Sequence, residues 1–97
     1  MNNLIFHKNL CDELNKTYEQ KDKRYGSSFS HSYKKYGKIS ALTRMSDKWN
    51  RLENLMLNPE LNNDKTESLI DTLKDLANYA LMTVIELEEE RKKELPF

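Results

Sequence analysis

Glu67, Asp71, Asp75 and Asn78 follow one another at intervals of four, four and three residues in a stretch rich in Leu and Ala. Wound as an α-helix, they share one side of it, within an arc of about 80°. Three carboxylates closed by a carboxamide offer the oxygen ligands a hard cation such as Mg²⁺ takes, and Mg²⁺ commonly joins carboxylates to phosphate. Leu69, Ile70, Leu73, Leu76, Ala77, Ala80 and Leu81 are expected on the opposite, apolar side. A second charged row lies upstream: Arg44, Lys48 and Arg51, at intervals of four and three, span an arc of about 60°, with Asp47 at its edge. Cations on one helix facing carboxylates on its neighbour make a workable nucleotide-phosphate site. Arg holds phosphate oxygens bidentately, and Glu67, Asp71 and Asp75 hold Mg²⁺ against the same phosphates.

Two ordinary explanations stand beside this chemistry: the rows pair with each other, or each faces water. Like charges four residues apart on an exposed helix cost only a few tenths of a kcal/mol, so the acidic row requires no metal. Half-buried, at ~6 Å and an effective dielectric constant of ~20, the repulsion rises to about 3 kcal/mol per pair and a counter-cation is needed. Glu67 also suits a helix first turn, where a carboxylate favours the dipole.

Lys23-Arg24-Tyr25-Gly26-Ser27-Ser28-Phe29 is the other candidate. A glycine lets the backbone approach an anion, serine hydroxyls and amides donate to it, and Tyr25 or Phe29 can stack on a base. Lys23 joins Arg44, Lys48 and Arg51 on the phosphate side, and Asn78 joins Tyr25 and Phe29 on the base or sugar side. Taken alone, a Tyr-Gly turn with serines is most often just a turn. No Walker-type GxxxxGK[ST] loop and no nucleophile elbow is present. His7 and Cys11 share an apolar stripe and are expected to pack in the core, as are Met45, Trp49 and Met56.

The elements that must position these groups are helical. Among 97 residues there are two Gly and two Pro, and 33% of the chain is charged, which disfavours a loop-rich or all-β fold. Leu4, His7, Cys11, Leu14 and Tyr18 predict a first helix over roughly 3–20. Ser27 or Ser28 caps a short helix carrying Phe29, Tyr33 and Tyr36, ended by Gly37 in a left-handed conformation. Ser40 caps a third helix over about 41–57, with Leu42, Met45, Trp49, Leu52 and Met56 as its apolar stripe and Asn58-Pro59 as its stop. Asp64 and Glu67 resemble a capping box opening a last helix from about 66 to 93, some 40 Å long. Its charged end, 86–97, outruns the partner helix and is expected to project into solvent or onto another subunit. The expectation is one all-α domain over 1–97, a small bundle of three long helices and a short one, completed by oligomerisation because so short a chain buries little surface.

Charge is balanced overall but not locally. Residues 21–51 carry nine Lys and Arg against two acids, while 52–97 carry five against eleven. Such a chain neutralises itself between halves or subunits, or binds an anion on its basic part. The acidic half disfavours nucleic acid. No apolar run approaches the ~20 residues of a membrane span, and the start, Met1-Asn2-Asn3-Leu4-Ile5-Phe6-His7, lacks the basic and long apolar regions of a signal peptide. With Cys11 alone, no intrachain disulfide forms, and a cytoplasmic setting is expected.

Three segments carry a resemblance: Lys21 through Phe29, then Arg44-Met45-Ser46-Asp47-Lys48-Trp49-Asn50-Arg51-Leu52, then Glu67 through Ala80. In order and spacing, over roughly residues 5–85, they resemble the phage and bacterial family called nucleotide modification associated domain 1. One departure is Arg24, where the family often has an acid before Tyr-Gly. The resemblance implies a helical fold and a place in nucleotide metabolism. The last helix is also similar to the acidic helix of MazG-like, all-α nucleoside triphosphate pyrophosphohydrolases. That likeness implies an Mg²⁺-dependent hydrolase, yet the second acidic ExxE-like motif is missing here: the third helix offers only Asp47 and Glu53. The alternatives are a protein that captures a nucleotide or nucleotide-derived signal without cleaving it, and a protein–protein interaction module.

Overall fold

The computed structural model describes residues 2–25, 27–58, 60 and 65–94. Four α-helices follow in order: α1 Asn3–Tyr25, α2 Ser28–Tyr36, α3 Lys38–Leu57 and α4 Lys65–Glu94. The protein is an all-α bundle, with no strand among the described residues.

Local chemistry sets the ends. The side chain of Asn2 accepts the backbone N–H of Leu4 at 3.0 Å and of Ile5 at 3.4 Å, supplying the N-cap of α1. This helix runs five residues past the expected end. Glu19 pairs with Lys23 one turn on, and Lys23 and Arg24 sit in the last turn, where cations favour the dipole. Ser27 stands at the N-cap of α2 but makes no side-chain cap bond. Its backbone is left-handed (φ 60°, ψ 40°), and its hydroxyl donates to Asp22 at 2.6 Å instead.

Gly37 joins α2 to α3 at φ 77° and ψ −156°. This is not the left-handed helical cap expected of it but a region open essentially to glycine alone. Its N–H donates to the Tyr33 carbonyl at 2.7 Å, and its own carbonyl accepts Ser40 N–H at 3.0 Å. Helix α3 therefore starts at Lys38, and Ser40 lies inside its first turn rather than at the cap. At the other end α3 stops at Leu57, and Asn58 N–H closes it on Asn54. The Asp64–Glu67 capping box and Pro59 lie outside the described residues.

Helices α3 and α4 pack antiparallel: Arg51 meets Thr72 and Lys48 meets Asp75. Helix α2 covers one end of the pair. The central cluster is Phe29, Tyr33 and Ala41, against which Met45, Tyr79 and Met82 pack. Leu52 and Leu55 are buried further along α3. The other side of α4 crosses α1 through polar ties, Lys74 to Glu13 at 2.8 Å and Asn78 to the Leu14 carbonyl at 3.2 Å.

Several apolar residues expected inside lie outside. In α1, Leu4 is 78% exposed and His7 and Cys11 are exposed, so neither of the latter is a core residue. No second layer covers that end of the helix. The inward face of α3 is Ala41, Met45, Lys48, Leu52 and Leu55, which keeps Met45 and Leu52 of the expected stripe and replaces its other members. Leu42, Trp49 and Met56 face out. On α4, Ile70, Leu73, Ala80 and Leu81 are exposed, while Thr72 and Glu86 are buried. At the charged end of α4, Glu86 is covered beside α2, Glu90 is half-buried, and the other residues of 87–94 are exposed.

Gly37 gives the clearest test of this architecture. A Cβ built there meets nothing within 4 Å, so the constraint is purely backbone. Gly37→Ala is expected to cost about 1–3 kcal/mol through the disallowed φ/ψ, read as a lower urea midpoint with an unchanged m-value.

Candidate functional site

An open cleft of about 320 Å³ lies between the C-terminal half of α1, the start of α2 and the middle of α4. Helix α3 contributes Arg44. The cleft has a charged end and an aromatic side.

Asp75 organises the charged end. Its Oδ2 accepts Lys48 Nζ at 3.0 Å and its Oδ1 accepts Lys21 Nζ at 3.4 Å, so one carboxylate holds ammonium groups from α3 and α1. Both Asp75 and Lys48 are about two-thirds buried, with side-chain exposures of 32% and 28%. Lys21, Asp22 and Arg44 line the same cleft. One turn below, Arg51 Nε donates to the hydroxyl of buried Thr72 at 3.2 Å, and that hydroxyl donates to the Ser68 carbonyl at 2.7 Å. Arg51 is thus spent on joining α3 to α4.

The aromatic side is built by Tyr18, Phe29 and Tyr79. The Phe29 and Tyr79 rings sit 5.8 Å apart, tilted by 33°, within the range of favourable aromatic pairs. Asn78 lines the cleft too, and its Nδ2 is committed to Leu14 of α1.

The charged rows read from sequence converge only in part. Arg44, Lys48 and Asp75 come together, Phe29 and Asn78 line the same cleft, and Arg51 is nearby. Lys23 lies outside, exposed and paired with Glu19 at 3.2 Å. Asp71 is exposed and makes no ion pair among the described residues. The side chains of Tyr25 and Glu67 lie outside the described residues. The shared cavity is not the α3–α4 seam that the two rows suggested, because α3 and α4 close directly on each other there. It is the gap that α1 and α2 leave beside α4. Lys21, Asp22, Tyr18 and Tyr79 also line the cleft and are not among the candidates that the spacing points to. Lys21 and Asp22 open the motif ending at Phe29, and that was the available signal. Tyr18 was read as part of an apolar stripe.

The donor set bears on Mg²⁺. Among the described residues no three His, Cys, Asp or Glu side chains gather at metal-binding range. Asp75 is already matched by two ammonium groups, and Asp22 accepts the Ser27 hydroxyl. As arranged, the cleft residues fit an anion better than a resident divalent cation.

Residues 21–87 match the family described as nucleotide modification associated domain 1, and the chain belongs to that family. No curated protein and no solved structure matches it. The matched span starts later than the resemblance over 5–85 suggested, yet it holds every side chain lining the cleft except Tyr18. No helix among the described residues is long and apolar enough to cross a membrane.

Under the cleft, the buried Tyr33 hydroxyl has no hydrogen-bond partner among the described residues. Burial first, then its approach to the Glu90 carboxylate as a hydrogen-bond acceptor, and last the negative charges of Glu90 and Glu86, push its pKa above the usual tyrosine range. The neutral phenol is therefore the native form. Its contribution to stability is complete below the unfolded-state pKa of about 10 and is lost as pH rises through the higher folded value. Tyr33→Phe is expected to flatten the loss of thermal stability above pH 10.

Proposed function

We propose that this protein binds a nucleoside phosphate in the cleft, with the phosphates at Lys21, Lys48 and Arg44 and the nucleoside along Tyr18, Phe29 and Tyr79. The observation that carries the reading is the Asp75 arrangement. One carboxylate holds two lysines beside a third cation, Arg44, at the end of an aromatic-lined cleft. That leaves a local surplus of positive charge for phosphate oxygens, and cations already fixed in place lose less freedom on binding. Aromatic faces accept any base by stacking. Membership of a nucleotide-modification-associated family supports the same ligand class.

In this reading Mg²⁺ enters as the counter-ion of the polyphosphate rather than as an ion held by Glu67, Asp71 and Asp75. Binding without cleavage is favoured over MazG-like pyrophosphate release because the sequence lacks the second acidic motif, its third helix carrying only Asp47 and Glu53.

A titration with a panel of nucleoside mono- and triphosphates, with and without Mg²⁺, tests this. Binding is expected to raise the melting temperature. Lys21→Ala should weaken it about tenfold, the loss of one charge-assisted hydrogen bond. Lys23→Ala, on the same helix but off the cleft, should leave affinity within about twofold, as an exposed pair contributes little. Absence of a shift with every nucleotide, or equal losses in the two variants, would rule the cleft out. Release of pyrophosphate would replace the binding reading with the hydrolytic one.

A further inference from the structure

Helix α1 forms one wall of the cleft through Tyr18, Lys21 and Asp22. It is 23 residues long, yet none of its described side chains is buried. Leu10, Leu14, Thr17, Tyr18 and Asp22 are half-buried, and its other described side chains are exposed. The core holds no residue of α1. Phe29, Tyr33, Ala41, Met45, Tyr79 and Met82 come from α2, α3 and α4, and Leu52 and Leu55 come from α3. All of them lie within the family match, 21–87, whereas most of α1 precedes it. The body that apolar packing holds together is therefore α2, α3 and α4.

Three polar ties among the described residues fix α1 to that body. Lys74 Nζ reaches Glu13 at 2.8 Å, Asn78 Nδ2 donates to the Leu14 carbonyl at 3.2 Å, and Lys21 Nζ reaches Asp75 at 3.4 Å. Two of the three are ion pairs, and their α1 members are more than half exposed, Glu13 at 52% and Lys21 at 58%. Exposed ion pairs are weak and are screened by salt, which leaves an apolar core in place.

The connection to α2 is short. Gly26 and Ser27 alone separate the two helices. Ser27 has the one positive φ among the described non-glycine residues, and its hydroxyl donates to Asp22 across the turn. That bond lies at a pivot, while Glu13 and Leu14 stand about 12 Å further along the helix than Asp22, where a swing displaces the chain most. Helix α1 also carries its own support. Asn2 caps it, and Lys8–Asp12 and Glu19–Lys23 pair one turn apart.

We propose that α1 is a hinged wall of the cleft. It swings as a helix about the turn at Ser27, and the ties to Lys74, Asn78 and Asp75 hold it shut. Opening uncovers the aromatic side, Phe29 and Tyr79, without breaking the core, and elements held this loosely are the ones that open around ligands. An anion in the cleft locks α1 shut by engaging Lys21. This locking rests on the nucleotide-binding reading above, and the hinge does not. Glu13 and Lys74, which do not line the cleft, are then positioning residues for its ligand.

Hydrogen exchange followed by mass spectrometry on the whole chain tests both parts. An undocked helix of this length protects its amides weakly, so α1 peptides should exchange at least about tenfold faster than those of α3. Raising NaCl from about 0.05 M to about 1 M cuts the Debye length to about 3 Å, and should speed α1 by about a further threefold while α3 changes by less than about twofold. Lys74→Glu should speed α1 as salt does. Adding Glu13→Lys to it should restore the wild-type rate, a rescue that a general loss of stability does not give. ATP, dGTP or inorganic phosphate, where it binds, should slow α1 relative to α3.

An α1 as protected as α3 at both salt concentrations overturns the hinge and leaves the nucleotide reading standing. A nucleotide that binds without slowing α1 overturns the locking at Lys21. A salt-sensitive α1 in a protein that binds no nucleotide of the panel above upholds the hinge and removes the nucleotide reading.

Discussion

The carboxylate of Asp75 accepts one ammonium from α3 and another from α1, and the shape of the cleft depends on this double contact. Helix α3 would lie on α4 without it, through Leu52, Leu55 and the central cluster. Helix α1 has no comparable apolar anchorage. Its N-terminal apolar residues are exposed, and Leu14 and Tyr18 are only half-buried. What fixes α1 beside α4 is a short series of polar ties: Glu13 to Lys74, the Leu14 carbonyl to Asn78, and Lys21 to Asp75. Half-exposed pairs of this kind contribute up to about 1 kcal/mol each. Their value is positional. They hold a helix close enough to form a wall and loosely enough to leave a gap behind it.

That balance explains why the cleft lies where it does. Between α3 and α4 lie Ala41, Leu52, Leu55 and Thr72, all buried. Between α1 and α4 the contacts are long and polar, and the aromatic residues of α2 and α4 form the floor. Ser27 finishes the rim. Its left-handed backbone turns the chain from α1 into α2, and its hydroxyl ties the turn to Asp22.

Much of the framework was legible in the residues. Helix-forming composition, Asn58-Pro59 and the Gly37 break place four helices within a few positions of where they lie. The convergence of Lys48 and Asp75 follows from rows of opposite sign on antiparallel neighbours. What could not be read was which apolar stripe faces inward. On helix α3 Met45 and Leu52 can be flanked inside by Ala41 and Leu55 or by Leu42, Trp49 and Met56, and periodicity alone does not choose between them. Helix α4 poses the same ambiguity, with Ile70 and Leu73 as apolar as the residues it buries. The acidic row broke up for a related reason. Asp71 and Asp75 share a side of the helix, but the cleft reaches only as far as Asp75.

The rule that settles such ambiguities is which partner each face meets. Helix α4 is 30 residues long and divides its circumference three ways. One side, through Thr72 and its neighbours, closes on α3. A second carries Asp75, Asn78, Tyr79, Met82 and Glu86 along the two cavities. The third carries the exposed apolar residues Ile70, Leu73 and Val84. A helix apolar on one side only would need no further partner. One that shares a side between core residues, Tyr79 and Met82, and the cavity's Asp75, Asn78 and Glu86 packs that side only in part, and in so short a chain the deficit shows as uncovered apolar surface. The radius of gyration, 15.9 Å, is larger than the ~12.5 Å expected of a compact chain of this length. Cavity and uncovered apolar side are thus two consequences of one allocation of residues along α4.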